Sequence, residues 1–429
     1  MKICVIGLGY IGLPTAAMFS SCGCEVVGVD IKQSIVDTLN SGNIHIEEPG
    51  LQDVLRRALD KGLFRASTSV ENADVFIIAV PTPNQDDFYL SCDLTYVLNA
   101  CQAIVPHVKD GAVIIVESTI APRSMDDHIK TFFEKHGLIA GQNIFLAHCP
   151  ERVLPGNILH EMVYNNRIVG GITKRCSEEA ANVYAMFVKG EIIQTEAKTA
   201  EMSKCMENTY RDVNIALANE LAKICVKLGI NVYDVIQLAN KHPRVNLHSP
   251  GPGVGGHCLA VDPYFVYAKA PELANIIKLA RDTNNSMPQF VGNIVDRLME
   301  GIEKPKIAVY GVTYKGNVDD MRESPALDVI RYLELNEYQI AIHDPHVKNP
   351  TFQDREEAVL NADLILILSD HDEFKTLDYS KLASLMRRPM LFDTKNIVSS
   401  QEFNGTMEVL NFGNVHRYIE VKGEQYEIV

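Results

Sequence analysis

The 429-residue sequence contains no tryptophan, no Cys-x-x-Cys pair and no apolar run long enough to cross a membrane. Its longest apolar runs, at residues 75–80 and 112–116, fall far short of the roughly 20 residues that a membrane-spanning helix requires. Forty Lys and Arg residues against 55 Asp and Glu give a net charge of −15, which repels nucleic acid and anionic lipid. Ten scattered cysteines without that pair argue against a disulfide scaffold and a structural metal site. Because the chain enters a predicted strand at residue 2 without a signal peptide, we expect a soluble, cytoplasmic protein without metal, membrane or nucleic-acid partners.

The hydrophobic content of 46% is enough for two or three packed cores. Short apolar segments alternate with helical patterns near both ends of the chain, which is typical of βαβ units that build a parallel sheet. The first set of predicted strands is 2–6, 25–30, 75–80 and 113–118. The second set is 307–310, 339–343, 364–368 and 390–393.

A glycine pattern follows the first predicted strand. Gly7, Gly9 and Gly12 form G-x-G-x-x-G between that strand and a predicted helix at 13–21. Gly7 permits a tight turn, Gly9 lets the backbone approach a pyrophosphate and Gly12 lets the helix pack on the strand. Asp30, about 20 residues on, would accept hydrogen bonds from a ribose 2′-hydroxyl and repel a 2′-phosphate. The pattern predicts NAD binding rather than NADP, and the alternative for Asp30 is that it merely starts a turn.

Residues 199–228 predict one long helix, because they contain good helix formers and neither proline nor glycine, with Gly229 directly after them. A helix of about 45 Å commonly bridges two domains or forms a dimer seam. We therefore predict an α/β fold of two Rossmann-like parallel-sheet domains, joined by a long central helix and a helical dimerisation region. The predicted domains are 1–197 for NAD, 198–303 for the helical region with a catalytic cysteine loop, and 304–429 as a second α/β domain.

Residues 249–263 form a loop rich in glycine and proline, whose N–H groups can cradle phosphate. Cys258 lies where this loop is predicted to become a helix, and a helix N-terminus stabilises a thiolate. We therefore predict a nucleophilic Cys258, with Asp262 on the same face, against the alternative of a structural thiol. His257 could activate the thiol, but a residue adjacent in sequence usually points elsewhere, so we interpret it as a substrate or structural contact.

The other cysteines fall in two groups. Some, such as Cys101 and Cys225, lie within apolar helix patterns, where a reduced thiol packs as a small hydrophobic group. Cys92 and Cys149 are loop thiols, and a disulfide between either of them and a reactive Cys258 stays an open alternative.

Three further segments carry polar side chains to positions where chemistry is common. Lys204 and Asn208 share a helix face with Glu201, and they form either an oxyanion clamp or a solvated stripe. Glu117-Ser118-Thr119 and Cys149-Pro150-Glu151-Arg152 each follow an apolar strand. Ligands bind at the carboxyl ends of strands in open α/β sheets, although such residues often just cap the next helix.

Taken together, these motifs resemble the UDP-glucose/GDP-mannose dehydrogenase family of nucleotide-sugar 6-dehydrogenases. The resemblance runs over essentially the whole chain, in order. The matching segments are Gly7 to Gly12, Val80-Pro81-Thr82-Pro83, Glu117-Ser118-Thr119, Pro150-Glu151-Arg152, Lys204 with Asn208, Gly255-Gly256-His257-Cys258 with Asp262, and Tyr314-Lys315-Gly316 through Arg322-Glu323-Ser324-Pro325.

Within that family, the UDP-glucose branch has serine before the cysteine and lysine before the aspartate. Here those positions are His257 and Val261, and His242-Pro243-Arg244-Val245-Asn246 precedes the glycine-rich loop. This combination resembles the UDP-N-acetyl-D-mannosamine dehydrogenases most closely, with the UDP-N-acetylglucosamine 6-dehydrogenases next.

The resemblance implies oxidation of the sugar C6 alcohol to a carboxylate with two NAD in succession. Thr119 and Glu151 with Lys204 would supply the base and water relay. Cys258 would add to the aldehyde, and loss of hydride from the thiohemiacetal would give a thioester. Lys204 and Asn208 would stabilise the oxyanion, and Asp262 with Glu151 would orient the hydrolytic water.

The resemblance also implies ligand contacts and a homodimer, with the uronate product used for surface polysaccharides. Cofactor-binding residues would be Gly7, Gly9, Tyr10, Ile11, Gly12, Asp30, Pro81, Thr82, Thr119 and Arg322. Substrate-binding residues would be Glu151, Arg152, Lys204, Asn208, Arg244, Gly255, His257 and Lys315. Lys315 would meet the UDP side and Arg244 the sugar nucleotide, the alternative for Lys315 and Arg322 being ordinary loop charges. The rival functions are a two-electron β-hydroxyacid dehydrogenase and a catalytically silent NAD sensor.

Overall fold

The computed structural model describes residues 1–154, 156–399 and 405–419. The chain divides into two compact units. The first holds Met1–Glu207 together with Tyr264–Leu273, and the second holds Asn208–Pro263 and the described residues from Ala274 onward. Each unit is built around one β-sheet.

The first unit contains an eight-stranded sheet among the described residues, in the order β3-β2-β1-β4-β5-β6-β7-β8. Its strands are β1 Lys2–Ile6, β2 Glu25–Val29, β3 Phe64–Ser67, β4 Val75–Ile78, β5 Ala112–Val116, β6 Ile144–His148, β7 Arg167–Gly171 and β8 Ile192–Glu196. Ile3 and Val5 of β1 face one hydrophobic core, while Cys4 and Ile6 face the other. Because both faces are covered, the central strands read as continuous apolar runs.

The predicted parallel-sheet fold is confirmed, with one antiparallel pair in the first sheet, where β7 runs antiparallel to β6 with Ala147 opposite Gly171 and His148 opposite Gly170. The chain between β6 and β7 returns along the same edge of the sheet and needs no crossover to the opposite edge. The N-terminal residue of β7, Arg167, therefore lies at the edge where β5 and β6 end. The other neighbouring strands of this sheet run parallel.

Helices cover both faces of the first sheet. They are α1 Gly12–Ser21, α2 Gln33–Asn40, α3 Leu51–Asp60, α4 Thr95–Ile104, α5 Thr131–Lys135, α6 Ile158–Tyr164 and α7 Lys174–Tyr184. A 3-10 turn at Val105–His107 and a π-helical segment at Met125–Lys130 extend α4 and precede α5.

A single helix, α8, runs over Ala197–Leu228, two residues longer at its start than the prediction. Its 32 residues correspond to about 48 Å at 1.5 Å per residue. The helix ends before Gly229, whose φ of +69° suits a residue without Cβ. It begins in the first unit and ends in the second, so it links the two along the chain. Across the described part of the chain, we find no helix that combines the length and apolarity needed to span a membrane.

The second unit contains the parallel sheet β10-β9-β11-β12-β13, found among its described residues. Its strands are β9 Lys306–Tyr310, β10 Gln339–His343, β11 Leu364–Ile367, β12 Met390–Asp393 and β13 Glu408–Asn411. The predicted second set matches β9 to β12. Its helices are α9 Val232–Ala239, α11 Asn275–Asn285, α12 Met287–Leu298, α13 Pro325–Leu335, α14 Arg355–Val359, α15 Asp372–Lys375 and α16 Tyr379–Ala383, and α10 Asp262–Lys269 begins in this unit.

Candidate active site

The glycine loop between β1 and α1 has the geometry that the sequence predicts. Gly7 has a φ of +91°, and a Cβ there would lie 2.5 Å from the carbonyl oxygen of Ala79. A Cβ at Gly12 would lie 1.8 Å from the carbonyl oxygen of Gly7. A Cβ at Gly9, by contrast, meets no atom within 4 Å, and Gly9 is exposed. Gly7 and Gly12 are therefore required by the fold, whereas the space above Gly9 is open to a ligand such as a dinucleotide pyrophosphate.

Asp30 ties the end of β2 to the glycine loop. Its Oδ2 accepts the N–H of Leu8 at 3.2 Å, and its Oδ1 accepts the N–H of Lys32 at 3.0 Å. Asp30 thus does begin a turn, as the alternative interpretation states, and each oxygen keeps a lone pair for a further donor. Tyr10 and Ile11 lie half-buried at the start of α1.

The ends of β4 and β5 are joined by side-chain hydrogen bonds to the backbone. The hydroxyl of Thr82 donates to the carbonyl oxygen of Thr119 at 2.6 Å, and the hydroxyl of Ser118 donates to that of Val80 at 2.7 Å. Thr82 and Thr119 are half-buried, while Pro81 is exposed. These predicted cofactor residues share the carboxyl edge of the first sheet.

A buried ion cluster lies at the same edge, formed by Glu117, Arg167 and Glu151, which we call the acid–arginine cluster. Arg167 Nη1 lies 3.4 Å from Glu117 Oε1, and Arg167 Nη2 donates to Glu151 Oε2. Glu117 also accepts hydrogen bonds from the hydroxyls of Thr15 at 3.0 Å and Tyr184 at 2.7 Å. The Arg167 guanidinium lies 4.2 Å from the centre of the Tyr184 ring.

Burial dominates the electrostatics of this cluster. It raises the pKa of Glu117 to about 7, although the charge of Arg167 lowers that pKa and Glu151 raises it further. Burial alone would lower the pKa of Arg167, but the neighbouring Glu151 and the other acidic groups raise it well above its ordinary value. Arg167 therefore stays charged and holds the predicted catalytic residue Glu151 in place. Arg167 is not among the site residues predicted from the sequence.

Glu151 and Arg152 have further partners around α8. Glu151 Oε1 accepts the N–H of Arg152 at 2.8 Å, and Arg152 Nη2 forms an ion pair with Glu207 Oε1 at 2.8 Å. Lys204 is buried on α8. Burial lowers the pKa of His148 to about 3, and the charge of Lys204 also lowers it, against a hydrogen bond to the backbone that raises it. His148 is therefore neutral and is a second residue that the sequence analysis missed.

In the second unit, Asn208 and Asp262 are brought together beside the cysteine loop. Asn208 Nδ2 donates to Asp262 Oδ2 at 2.6 Å, and both residues are buried. The carbonyl oxygen of Cys258 accepts the N–H groups of Val261 at 3.1 Å and Asp262 at 2.9 Å. Regular helix therefore begins at Asp262, one turn later than the prediction placed it, and the side chain of Cys258 is exposed on the preceding turn.

The glycines of this loop are set by close backbone contacts. A Cβ at Gly255 would lie 2.2 Å from the carbonyl oxygen of Glu323, and one at Gly256 would lie 2.9 Å from the Tyr314 ring. The N–H of Gly256 donates to the carbonyl oxygen of Arg322 at 3.2 Å. The predicted cysteine loop and the predicted Tyr314 to Pro325 segment are therefore in contact.

The predicted cationic ligand residues of this unit are exposed. Arg322 forms an ion pair with Asp320, with Nη2 2.6 Å from Oδ2. Lys315 and Arg244 are exposed as well. Partial burial and then the charge of Arg322 lower the pKa of His257, although Asp320 and Glu323 raise it. The structure thus places Lys315, Arg322 and His257 in one unit with Cys258, and their ligand contacts stay predictions.

The thiols of Cys149 and Cys258 differ in their exposure to solvent. No disulfide joins any of the ten cysteines, all of which lie in the described residues. Cys149 is fully buried, and burial raises the pKa of its thiol to about 12, whereas Cys258 is exposed. The redox pairing of Cys258 stays a prediction.

Among the described residues, one group of side chains could present ligand atoms to a metal ion, namely His346, His371 and Glu373. Both nitrogens of His371 already have partners. Its Nδ1 accepts the N–H of Asn317 at 2.9 Å, and its Nε2 lies 3.2 Å from Asp344 Oδ2. His371 therefore holds the loop that follows β9.

Comparison with known proteins identifies the family through three matching models. The models describe the UDP-glucose/GDP-mannose dehydrogenase family and match its NAD binding domain at residues 1–188, its central domain at 198–286 and its UDP binding domain at 308–400.

Individual relatives match over nearly the whole chain. A UDP-N-acetyl-D-mannosamine dehydrogenase of Methanococcus maripaludis is 49% identical over 406 residues, which are 92% of this chain and 93% of that protein. The native structure of the UDP-N-acetyl-mannosamine dehydrogenase Cap5O from Staphylococcus aureus is 54% identical, with a TM-score of 0.91, and the match covers 98% of this chain and 100% of that one. An NDP-N-acetyl-D-galactosaminuronic acid dehydrogenase of Ralstonia solanacearum is 43% identical over 93% of this chain and 96% of that protein. The chain therefore belongs to the UDP-glucose/GDP-mannose dehydrogenase family, as an NAD-dependent nucleotide-sugar dehydrogenase with an NAD binding domain, a central domain and a UDP binding domain.

Proposed function

We propose that this chain oxidises UDP-N-acetyl-D-mannosamine at C6 to UDP-N-acetyl-D-mannosaminuronate. The observation that carries the proposal is the pairing of an exposed thiol, Cys258, with the buried Asn208–Asp262 hydrogen bond one turn away. A two-electron alcohol dehydrogenase needs no such thiol. The relatives from Methanococcus maripaludis and Staphylococcus aureus, which carry the N-acetylmannosamine name, support the choice of sugar.

The chemistry assigns a role to each predicted residue. Bound NAD supplies the hydride acceptor for both oxidations. Thr119, Glu151 and Lys204 remove the hydroxyl proton through a water relay as the alcohol becomes an aldehyde. The thiolate of Cys258 then adds to the aldehyde carbon, and the resulting oxyanion is stabilised by Lys204 and by Asn208.

Loss of the second hydride converts this adduct to a thioester. Water, oriented by Asp262 and Glu151, then attacks the thioester carbon, and the carbon–sulfur bond breaks to restore the thiol of Cys258. One alcohol, one water and two NAD are consumed, and one carboxylate and two NADH are formed. The ratio of NADH to product is therefore two.

The experiment is an NADH assay across UDP-N-acetylmannosamine, UDP-N-acetylglucosamine, UDP-glucose and GDP-mannose, with product mass measured. We expect two NADH per uronate, with the highest kcat/KM for the N-acetylmannosamine substrate. Highest activity on UDP-N-acetylglucosamine would establish the alternative, a UDP-N-acetylglucosamine 6-dehydrogenase. One NADH per sugar would show a two-electron dehydrogenase. No turnover on any of the four substrates would favour the rival function of a catalytically silent NAD sensor.

A Cys258→Ser variant tests the covalent step separately. Serine keeps a polar group of similar size but is a far weaker nucleophile near neutral pH. We expect acid formation to fall at least a thousandfold while NAD binding stays within twofold of the wild type. Uronate production at the wild-type rate would contradict the mechanism.

We also propose a homodimer that forms along α8. Large apolar side chains at helical spacing are exposed along this helix, namely Met202, Met206, Tyr210, Leu217, Ile224 and Leu228. A stripe of this length is typical of a helix that packs against another helix. A Leu217→Glu/Ile224→Glu variant should be monomeric in light scattering, whereas the matched charge change Arg211→Glu should remain dimeric. A dimer that survives the double change would place the interface elsewhere.

We propose the domain limits 1–197, 198–303 and 304–429, a cytoplasmic location, an Arg322 contact to the NAD pyrophosphate, a Lys315 contact to UDP and an Arg244 contact to the sugar nucleotide. The exposure of these three cations, on a chain whose net charge is −15, supports the three ligand contacts. Arg322→Ala should weaken NAD binding and Lys315→Ala should weaken UDP binding, each measured by calorimetry.

A further inference from the structure

A buried polar network joins α8 to α11 in the second unit. Asp212, on α8, is fully buried, and its Oδ1 accepts hydrogen bonds from Arg281 Nη1 at 2.6 Å and from Asn284 Nδ2 at 2.8 Å. Asn284 Oδ1 accepts a hydrogen bond from Asn219 Nδ2 at 2.8 Å, so Asn219 belongs to the same network. Arg281 and Asn284 are 3% and 1% exposed. Replacing a buried ion pair by apolar residues is often at least as stable, so the network is better explained by a geometry that it fixes than by stability alone.

The same network holds the cysteine loop at two points. Asn219 Oδ1 accepts the N–H of Gly251 at 2.9 Å, before the thiol in sequence. Arg281 Nη1 lies 3.4 Å from the carbonyl oxygen of Leu259, the residue directly after Cys258. The loop is therefore attached on both sides of the thiol.

Helix α8 supplies these attachment points from one face. Asn208, Asp212 and Asn219 are four and seven residues apart, which places them within about 40° of one another around the helix. Asn208 holds Asp262 through its side-chain amide. A loop rich in glycine loses more backbone entropy on ordering than any other, so a thiol on such a loop needs fixed neighbours to stay in one place.

We propose that the Asp212–Arg281 ion pair is a positioning pair that fixes the Cys258 loop on α8 for addition to the aldehyde. The proposal rests on the proposed function of Cys258. Arg281 suits this task because its guanidinium can reach a carboxylate and a carbonyl oxygen at once. A lysine at this position would keep the charge but lack the second nitrogen, Nη2, which donates to Asn285 Oδ1 at 2.6 Å and helps to orient the guanidinium.

Two variants test the proposal. Arg281→Lys keeps the buried charge, and Asp212→Asn/Arg281→Met removes both charges together, so that no carboxylate is left uncompensated. We expect kcat for acid formation to fall at least tenfold in both, with KM for NAD and for the sugar nucleotide within twofold of the wild type. Because the loop is released, we also expect aldehyde that hydroxylamine can trap, which the wild type should not release.

The matched control is Lys223→Met. Lys223 also links α8 to the end of α11, because its Nζ donates to Ser286 Oγ at 2.6 Å, but it makes no contact with the cysteine loop among the bonds described above. We expect kcat of this variant within twofold of the wild type and no trapped aldehyde. Circular dichroism and a melting curve establish the folded fraction of each variant.

The outcomes separate this proposal from the proposed function. If Cys258→Ser still makes the acid, the proposed function fails. If Cys258→Ser is inactive while both Arg281 variants keep kcat within twofold, the positioning proposal fails alone. A loss of kcat that Lys223→Met matches, or loss of the folded state in both Arg281 variants, assigns the pair to stability and overturns the proposal.

Discussion

Arg167→Met tests whether the acid–arginine cluster is held together by its one cation. The change removes the guanidinium from between Glu117 and Glu151, both of which are buried with it. Removing one partner of a buried ion pair typically costs about 3–5 kcal/mol, because the remaining charge is left uncompensated. The cation over the Tyr184 ring is lost as well. We therefore expect the free energy of unfolding at pH 8 to fall by about 3–5 kcal/mol.

The loss should depend on pH. In the wild type the Glu117 carboxyl, with its pKa of about 7, has lost its proton by pH 8. In Arg167→Met this pKa rises further, because the charge that lowers it is gone. Above pH 7 the folded variant then holds a proton that the unfolded chain, with a carboxyl pKa near 4.3, has released. Stability of the variant therefore falls by about 1.4 kcal/mol per pH unit in this window, and the gap to the wild type is about 1 kcal/mol wider at pH 8 than at pH 5.

The assay is urea denaturation followed by far-UV circular dichroism at pH 5 and pH 8. The matched control is Arg331→Met, which removes an exposed ion pair in which Arg331 Nη1 lies 2.8 Å from Asp328 Oδ1. An exposed pair of this kind contributes about 0–0.5 kcal/mol. A loss in Arg167→Met no larger than in the control, or one that is larger at pH 5 than at pH 8, would refute the reasoning.

Two further predictions follow from single positions. Gly9→Ala should keep the melting temperature of the wild type and bind NAD at least tenfold more weakly in calorimetry, because the new Cβ meets no protein atom and occupies the open side of the loop. Gly12→Ala should lose stability as well, because its Cβ would collide with the backbone of Gly7. Equal melting temperatures for the two variants would contradict this prediction. Glu201 accepts the N–H groups of Arg123 and Met125 at 2.7 Å each, and burial raises its pKa to about 7 against those two donors. The folded state thus keeps a proton that the unfolded state releases near pH 4.3, so wild-type stability falls as pH rises toward 7. Glu201→Gln has no such proton to lose. Between pH 5 and pH 8, the free energy of unfolding of Glu201→Gln should therefore rise relative to that of the wild type by on the order of 2–3 kcal/mol in denaturant titrations. A gap that does not change with pH would contradict it.

Local patterns predicted most of the fold. The apolar runs gave the positions of β1, β4 and β9 to within one or two residues, and the absence of proline and glycine predicted α8 over nearly its full length. Helical spacing likewise placed Lys204 and Asn208 on one face. These features depend on sequence neighbours, which explains why sequence alone was sufficient.

Arg167 could not be found in the same way. A parallel β7 would place its first residue at the opposite edge from Glu117 and Glu151. No local sequence pattern predicts that β7 runs antiparallel to β6. Asp212 and Asn219 did carry a signal, since they continue the face of Asn208 along α8. Arg281, the partner of Asp212, is 69 residues away in the sequence, and only the packing of α11 brings the two together.

The continuity of α8 has a consequence for how the length of this chain can vary. Each added residue turns everything downstream by about 100° about the helix axis. One alanine inserted after Asn208 would turn Asn208 by this angle relative to Asp212 and Asn219, so the three side chains would no longer share the face that holds the cysteine loop. The number of residues between these side chains along α8 therefore has to be preserved. We expect insertions to be tolerated in exposed loops and not within this helix.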